Sequence, residues 1–206
     1  FIVDPDRKKM SKSKGNVVTP QGMLDEHGSD AVRYWAASSR LGTDAAFDPE
    51  NPKQIKIGRR LAIKVLNAAK FVYSFAHTDG APVTEALDLD MLRRLADVVR
   101  TATESYDKFD HARALEVTEQ FFWTFTDDYL ELVKERAYRE AGSEGQASAV
   151  AALRLAIDVF LRLLAPVLPF ATEEVWRWTH SGSIHTSTWP AVSELPVEGP
   201  SNGLLD

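Results

Sequence analysis

Residues 148–164 constrain the fold more than any other stretch. They are apolar nearly all round, with Arg154, Asp158 and Arg162 making one narrow polar stripe at i, i+4 and i+8. A helix of that kind belongs inside a bundle, its one outer edge laced by opposite charges. The same three charges interrupt the run, so it is no membrane span, and no membrane partner is expected. Other segments must surround this helix, and the expected class is mainly α.

Apolar residues recurring at three and four supply those segments. Ile57, Leu61, Val65, Ala68, Val72 and Phe75 mark a long helix over 52–75, and Leu92, Leu95, Val99 and Ala102 mark a second over 88–105. A break at Asp107-Lys108-Phe109 leads to Asp110, an N-cap for a third helix over 110–139. Its apolar face holds Thr118, Phe121, Phe122, Phe125, Tyr129, Leu132 and Val133. The cluster Phe121, Phe122, Trp123 and Phe125 reads as core, because aromatic residues at helical spacing are packed inside far more often than they are free to stack bases. Asp128 falls on the stripe of Phe121, Phe125 and Leu132, so it is expected to be at least partly buried and to need a partner, an ion pair being favoured over a recognition role. Residues 141–147 read as a polar loop. Pro166 and Pro169 end the buried helix, a last helix covers 170–179, 181–189 is extended, and 191–206 reads as a weakly ordered tail.

Ahead of the bundle the pattern changes. Residues 1–4 read as the end of a short strand, with Val17-Val18 as a second strand that would present the intervening loop as a hairpin. Thr19 and Pro20 start a short helix that Gly28 stops, and Ser29 starts another that runs to Gly42. Residues 43–47 are expected to return as a strand beside Ile2. The organisation is then a small α+β unit over 1–50, a helical bundle over 51–180 and an extended segment over 181–206.

The net charge of −6 conceals an asymmetry: residues 1–80 hold 13 Lys and Arg against 9 Asp and Glu, while residues 81–206 hold 11 against 21. The acidic half makes a poor generic nucleic-acid binder, so any such contact needs a local basic face. The basic side of the 52–75 helix, with Lys53, Lys56, Arg59, Arg60, Lys64 and Lys70, is either that face or a solvated one. Cysteine is absent, which rules out disulfides and thiolate chemistry in this chain and fits a reducing compartment. His27, His77, His111, His180 and His185 lack ligand-like spacing, and no metal site is expected. No Walker-type or G-x-G-x-x-G loop is present. The first residue is Phe1, and the chain is expected to be a piece of a longer one.

One stretch carries chemistry. Lys9-Met10-Ser11-Lys12-Ser13-Lys14-Gly15-Asn16 packs three ammonium groups and two hydroxyls into eight residues. Lysine is a compact charge with three donors, suited to polyphosphate and to the charge that develops on a leaving pyrophosphate. Gly15 lets the backbone turn there.

The order of those residues matches the KMSKS signature, and the chain resembles the class I aminoacyl-tRNA synthetases. Four further segments carry the resemblance in collinear order: Gly28-Ser29-Asp30-Ala31-Val32-Arg33-Tyr34, Phe125-Thr126-Asp127-Asp128-Tyr129-Leu130-Glu131, Pro166 to Trp176, and the Ser-Ile-His and Trp-Pro residues between Ser183 and Pro190. Within the valine, leucine and isoleucine group, Ala36-Ala37-Ser38-Ser39-Arg40-Leu41-Gly42-Thr43-Asp44 is most like the valyl-tRNA synthetases. The resemblance implies the KMSKS loop, a stem-contact unit and the helical anticodon-binding domain of an enzyme that activates valine with ATP and passes it to tRNA. Lys9 and Lys12 are then the catalytic groups, and Lys9, Met10, Ser11, Lys12 and Ser13 contact ATP, with Mg2+ in the parent enzyme. Trp123, Asp128, Lys134, Arg136 and Arg139 are the candidates for tRNA. The H-x-G-H signature and an editing domain are not found. This chain alone is therefore expected to hold no nucleotide and to be inactive, its partners being tRNA and the missing catalytic and editing domains, in a cytoplasmic monomer. A non-catalytic helical tRNA- or protein-binding module, or the same region of an isoleucyl or leucyl enzyme, is the alternative.

Overall fold

The computed structural model describes residues 1–77, 79–196 and 201–205, so parts of the expected 77–82 loop and 191–206 tail lie outside the described residues. Two short strands, β1 (Ile2–Val3) and β2 (Ala45–Ala46), pair in parallel with Ile2 opposite Ala45 and Val3 opposite Ala46. Helices α1 (Gln21–His27) and α2 (Ser29–Ala37) cross between them. Met23, Ala31 and Phe47 form a small core with Ile55, and the Trp35 ring meets Phe47 edge-on at 5.2 Å.

Within this unit three details correct the sequence reading. Val17 and Val18 form no strand; Val3 instead bridges Lys9 in antiparallel fashion, because the chain reverses as soon as it passes Asp4. Helix α1 begins after Pro20 rather than with a Thr19 cap. Helix α2 stops at Ala37 and not at Gly42. The hydroxyls of Ser38 and Ser39 both donate back to the Trp35 carbonyl, at 2.9 and 3.4 Å, and so compete with the helical ladder.

The bundle comprises α3 (Lys53–Tyr73), α4 (Ala86–Asp107), α5 (His111–Thr124), α6 (Leu130–Ala137), α7 (Glu144–Leu164) and α8 (Pro169–Trp176). Helix α7 runs through its middle, with Leu153, Ala156, Ile157, Phe160 and Leu164 all buried, and it starts inside the expected 141–147 loop. Phe121, Phe122 and Phe125 pack on Phe160 at 6.0, 5.2 and 5.2 Å between ring centres, so the aromatic cluster is core. The polar stripe of α7 is covered rather than exposed: Arg162 reaches Asp158 at 2.8 Å and Glu194 at 2.6 Å. The described residues after 190 therefore contradict the expected loose tail. Leu195 is buried, and Asp90 accepts hydrogen bonds from the Ser201 hydroxyl and the amides of Asn202 and Leu204.

Asp110 caps α5 as expected, accepting the Arg113 amide at 3.1 Å. The helix beyond is not uniform. A π-helical turn spans Phe125–Tyr129, and its extra residue rotates everything that follows relative to what precedes. Thr126, Tyr129, Leu130 and Val133 are consequently buried, while Asp128 is exposed and Leu132 is 60% exposed. The expectation of a buried Asp128 fails by that one register step.

The carboxylate buried here is Asp88. It accepts the Tyr129 hydroxyl at 2.8 Å, the Ser148 hydroxyl at 2.6 Å and both terminal nitrogens of Arg136 at 3.0 and 2.6 Å. Ser148 in turn accepts the amides of Thr84 and Glu85, at 3.0 and 3.1 Å. Burial and the neighbouring Asp88 push the Tyr129 hydroxyl well above its ordinary titration range, so it stays a donor.

Two contacts fix the small unit on the bundle. Asp30 of α2 accepts the amides of Phe170 and Ala171 at 3.1 and 2.7 Å, capping α8 from a different helix, and Arg33 donates to the Pro166 carbonyl at 2.7 Å. Between α2 and α3, Gly58 lies against Tyr34 so closely that an added Cβ would stand 2.5 Å from the Tyr34 Cβ. The Tyr34 hydroxyl then reaches Glu119 at 2.6 Å.

Candidate functional site

The lysine-rich loop is tied at its base. Directly after β1 the Asp4 carbonyl accepts the Arg7 amide at 2.9 Å and the Asp4 amide donates to the Lys8 carbonyl at 3.0 Å, with Arg7 in the left-handed region at φ 59°. One carboxylate oxygen of Asp4 accepts the Lys8 amide at 2.7 Å, and the other accepts the Asn16 side-chain amide at 2.8 Å. Asn16 also donates to the Lys9 carbonyl at 3.3 Å and accepts the Ser11 amide at 2.9 Å. The Asn16 hydrogen bond, followed by that of the Lys8 amide, holds the Asp4 carboxyl below the usual carboxylate range. It is a charged acceptor at neutral pH.

The tip is displayed. Lys12–Lys14 forms one 3-10 turn closed by Gly15 at φ 67°, and the Ser11 and Ser13 hydroxyls lie 3.3 Å apart. Lys9, Lys12 and Lys14 are exposed and their ammonium groups have no carboxylate partner among the described residues, whereas Lys8 pairs with Asp6 at 3.3 Å. Met10 and Ser11 are half-buried beside them. Ammonium and hydroxyl donors held this way fit phosphate oxygens. They do not fit a bare cation, and among the described residues no cluster of His, Asp and Glu is arranged to hold a metal.

The five residues singled out for tRNA are not brought together. Trp123 is half-buried on the side of α3, its indole donating to Glu119 at 3.2 Å. Asp128 is exposed on the π-helical turn. Arg136 is committed to Asp88, Lys134 pairs with Glu131 within α6 at 3.3 Å, and Arg139, just past the end of α6, pairs with Glu135 at 3.6 Å. What the structure assembles instead is Trp123 with α3. Arg60 and Lys64 lie 5.3 and 5.6 Å from the Trp123 ring centre, and a cleft of about 540 Å³ is lined by Arg60, Ile63, Lys64, Asn67, Trp123 and Asp127. A neighbouring cleft of about 400 Å³ adds Lys56, Arg59, Glu26 and His27. Guanidinium and ammonium groups around the half-buried Trp123 combine backbone attraction with an aromatic surface, Lys64 being itself paired with Asp127 at 2.7 Å. The basic positions of α3 were legible in the sequence; their meeting with Trp123 of α5 is a long-range approach of side chains that no local pattern announces.

The loop's fastening was missed too. Asn16 stands in the stretch that carries the resemblance, but nothing in the sequence pairs it with Asp4; the bridge between Val3 and Lys9 brings them together.

Residues 88–202 match the family described as the anticodon-binding domain of tRNA ligase, and residues 1–48 match class I tRNA synthetases (I, L, M and V). A valine–tRNA ligase of Leifsonia xyli subsp. xyli is 70% identical over 202 residues, which are 97% of this chain and 23% of that protein. One from Thermobifida fusca is 62% identical over 199 residues, 95% of this chain and 22% of its own length. The chain thus spans about a quarter of the curated relatives it matches. Among solved structures, a LeuRS from Agrobacterium radiobacter K84, crystallised in a ternary complex with tRNA and LeuAMS, superposes with a TM-score of 0.70 at 21% identity, over 94% of this chain and 23% of that one. That likeness concerns the fold.

Proposed function

The chain belongs to the anticodon-binding domains of tRNA ligases, and from that premise we propose that it is the tRNA-binding and phosphate-loop part of a valine–tRNA ligase. In the parent enzyme the valine carboxylate attacks the α-phosphorus of ATP; the new carboxyl–phosphorus bond forms as the bond to the bridging oxygen breaks, and pyrophosphate leaves with its charge. A hydroxyl at the tRNA 3′ end then attacks the aminoacyl carbonyl, the acyl–phosphate bond breaks and AMP leaves. Lys12, with Lys9 beside it, donates hydrogen bonds to phosphate oxygens whose charge grows along that path. Ser11 and Ser13 shape the loop. The observation that carries the reading is the exposed, unpaired set of Lys9, Lys12 and Lys14 on a loop whose ends are fixed. Mg2+ enters with ATP rather than through these donors, and the parent works as a cytoplasmic monomer with its catalytic and editing domains outside this chain.

The tRNA runs along the helical part, with Lys56, Arg59, Arg60 and Lys64 of α3 and the Trp123 edge meeting its backbone. Removing a charge-assisted contact that strengthens in the transition state costs about 2–4 kcal/mol. Lys12→Ala in the full-length enzyme should therefore lower valine-dependent ATP–pyrophosphate exchange by some hundreds-fold and leave tRNA affinity nearly unchanged. An unaltered exchange rate overturns the assignment of the loop.

A further inference from the structure

We propose that Asn16 is a positioning residue for the phosphate loop, a latch that works through Asp4 to set where the loop's lysines stand. This inference rests on the reading of the loop as the ATP-phosphate contact and adds a residue to which the KMSKS letters assign no role.

Asn16 uses its whole amide. Its nitrogen donates to the Asp4 carboxylate at 2.8 Å and to the Lys9 carbonyl at 3.3 Å, and its oxygen accepts the Ser11 amide at 2.9 Å. Three points are thereby joined: the end of the strand, the first lysine of the loop and the residue that leads into the 3-10 turn carrying Lys12. Asp4 is anchored by both its backbone and its other carboxylate oxygen to Lys8, so it is a fixed post. Among the described residues no apolar contact from the bundle holds this loop; Lys12–Lys14 contains no buried residue. Without the latch, the segment from Ser11 to Asn16 keeps only contacts within its own turn: the backbone bonds from Lys14 to Ser11 and Gly15 to Lys12, and the Ser11–Ser13 hydroxyl pair. Misplacing a transition-state contact by about 1 Å lowers rates by roughly a hundredfold. Because the lysine–phosphate contact strengthens as charge develops, the loss falls on kcat more than on KM for ATP.

The pair can also be exchanged. Asn16→Asp alone sets two carboxylates against each other where a donor and acceptor met, whereas Asp4→Asn combined with Asn16→Asp restores a donor facing an acceptor and keeps an acceptor for the Ser11 amide, while giving up the donor to the Lys9 carbonyl. In the full-length enzyme we expect N16A to lower kcat for ATP–pyrophosphate exchange by about 10- to 100-fold. KM for valine and the thermal midpoint should stay near wild type, N16D should be worse than N16A, and D4N/N16D should recover part of the rate that N16D loses, the bond to the Lys9 carbonyl staying unmade. K12A is run beside them. If K12A lowers exchange but N16A and N16D leave kcat within twofold of wild type, the latch is wrong and the loop assignment stands. If K12A has no effect, the loop assignment itself has failed. If N16A lowers the thermal midpoint and kcat together, and D4N/N16D restores the midpoint without the rate, Asn16 is a structural residue only and the proposal is overturned.

Discussion

Two carboxylates organise this molecule, and they do opposite work. Asp4 accepts from Lys8 and Asn16, partners at most 12 residues away, and the result is an exposed loop held only at its root. Asp88 accepts from Tyr129, Arg136 and Ser148, partners 41 to 60 residues away, and the result is a buried node that ties α4, the π-helical turn, α6 and α7 together. A short-range polar network presents groups to a ligand. A long-range one, fully satisfied and out of water, fixes which helices lie next to which. Changes at the first node should therefore appear in catalytic rates, and changes at the second in stability.

The largest stability effect expected is at the second node. Asp88→Ala leaves Tyr129 and Ser148 without their acceptor and Arg136 with only the Gly145 carbonyl, where Asp88 is fully buried, and breaking such a pair costs about 3–5 kcal/mol. Urea unfolding followed by far-UV ellipticity should show a lower midpoint with an unchanged m-value. In the full-length enzyme at low temperature, the exchange rate per folded molecule should stay near wild type. A rate loss as large as that of Lys12→Ala, with stability intact, would break the division between the two nodes.

Gly58→Ala tests the seam between the two regions. The added methyl meets the Cβ of Tyr34 at 2.5 Å, backbone-anchored on both sides, so α2 and α3 must part. Overpacking of this kind costs about 1–3 kcal/mol. Since Asp30 and Arg33 hold α2 to the α7–α8 junction, the strain is expected to spread to the α8 N-terminus. Hydrogen exchange at the Phe170 and Ala171 amides should rise. Unchanged protection there would confine the effect to α2 and α3.

How far the sequence already told this depends on the range of the interaction concerned. The strand–helix–helix–strand unit, the Asp110 cap, the aromatic core and the buried character of α7 follow from periodicity and turn chemistry, which act within a few residues. The lysine loop was legible for the same reason. Asp128 and Leu132 were misplaced because a π-helical turn has no compositional mark: Phe125-Thr126-Asp127-Asp128-Tyr129 reads as ordinary helix until Tyr129 must reach Asp88. Asp88 looked like a residue at a helix start, and nothing near it in sequence announces Arg136 or Ser148. The segment after Trp189 looked loose because its own composition is polar and proline-rich; what orders it is supplied by Arg162 and Asp90, far upstream.

That segment provides the smallest effect and the finest test of the comparison, because it is long-range in its partners yet partly open to solvent. Glu194 accepts Arg162 at 3.1 and 2.6 Å and the Ala191 amide at 2.7 Å, and the Arg162 hydrogen bond, ahead of every other cause, holds its carboxyl below the usual glutamate range. Asp90 is likewise held low: the amide of Asn202, the Ser201 hydroxyl and the amide of Leu204 outweigh its burial. A group whose folded pKa lies below its unfolded one stabilises the fold above the unfolded value and loses that contribution as pH falls through the folded one. Both carboxylates have the same sign, so the segment should be held at neutral pH and released as acid reaches below the ordinary carboxylate range. With Glu194 about a third exposed, its share is about 1 kcal/mol or less. Hydrogen exchange at the Ala191 and Leu195 amides, corrected for its intrinsic pH dependence, should accelerate several-fold on acidification, and Glu194→Gln at neutral pH should reproduce part of that change. Should Glu194→Gln exchange as slowly as wild type while acid still frees the segment, Asp90 alone is the clasp. The Arg162 fork would then belong with the core of α7 rather than with the segment it touches.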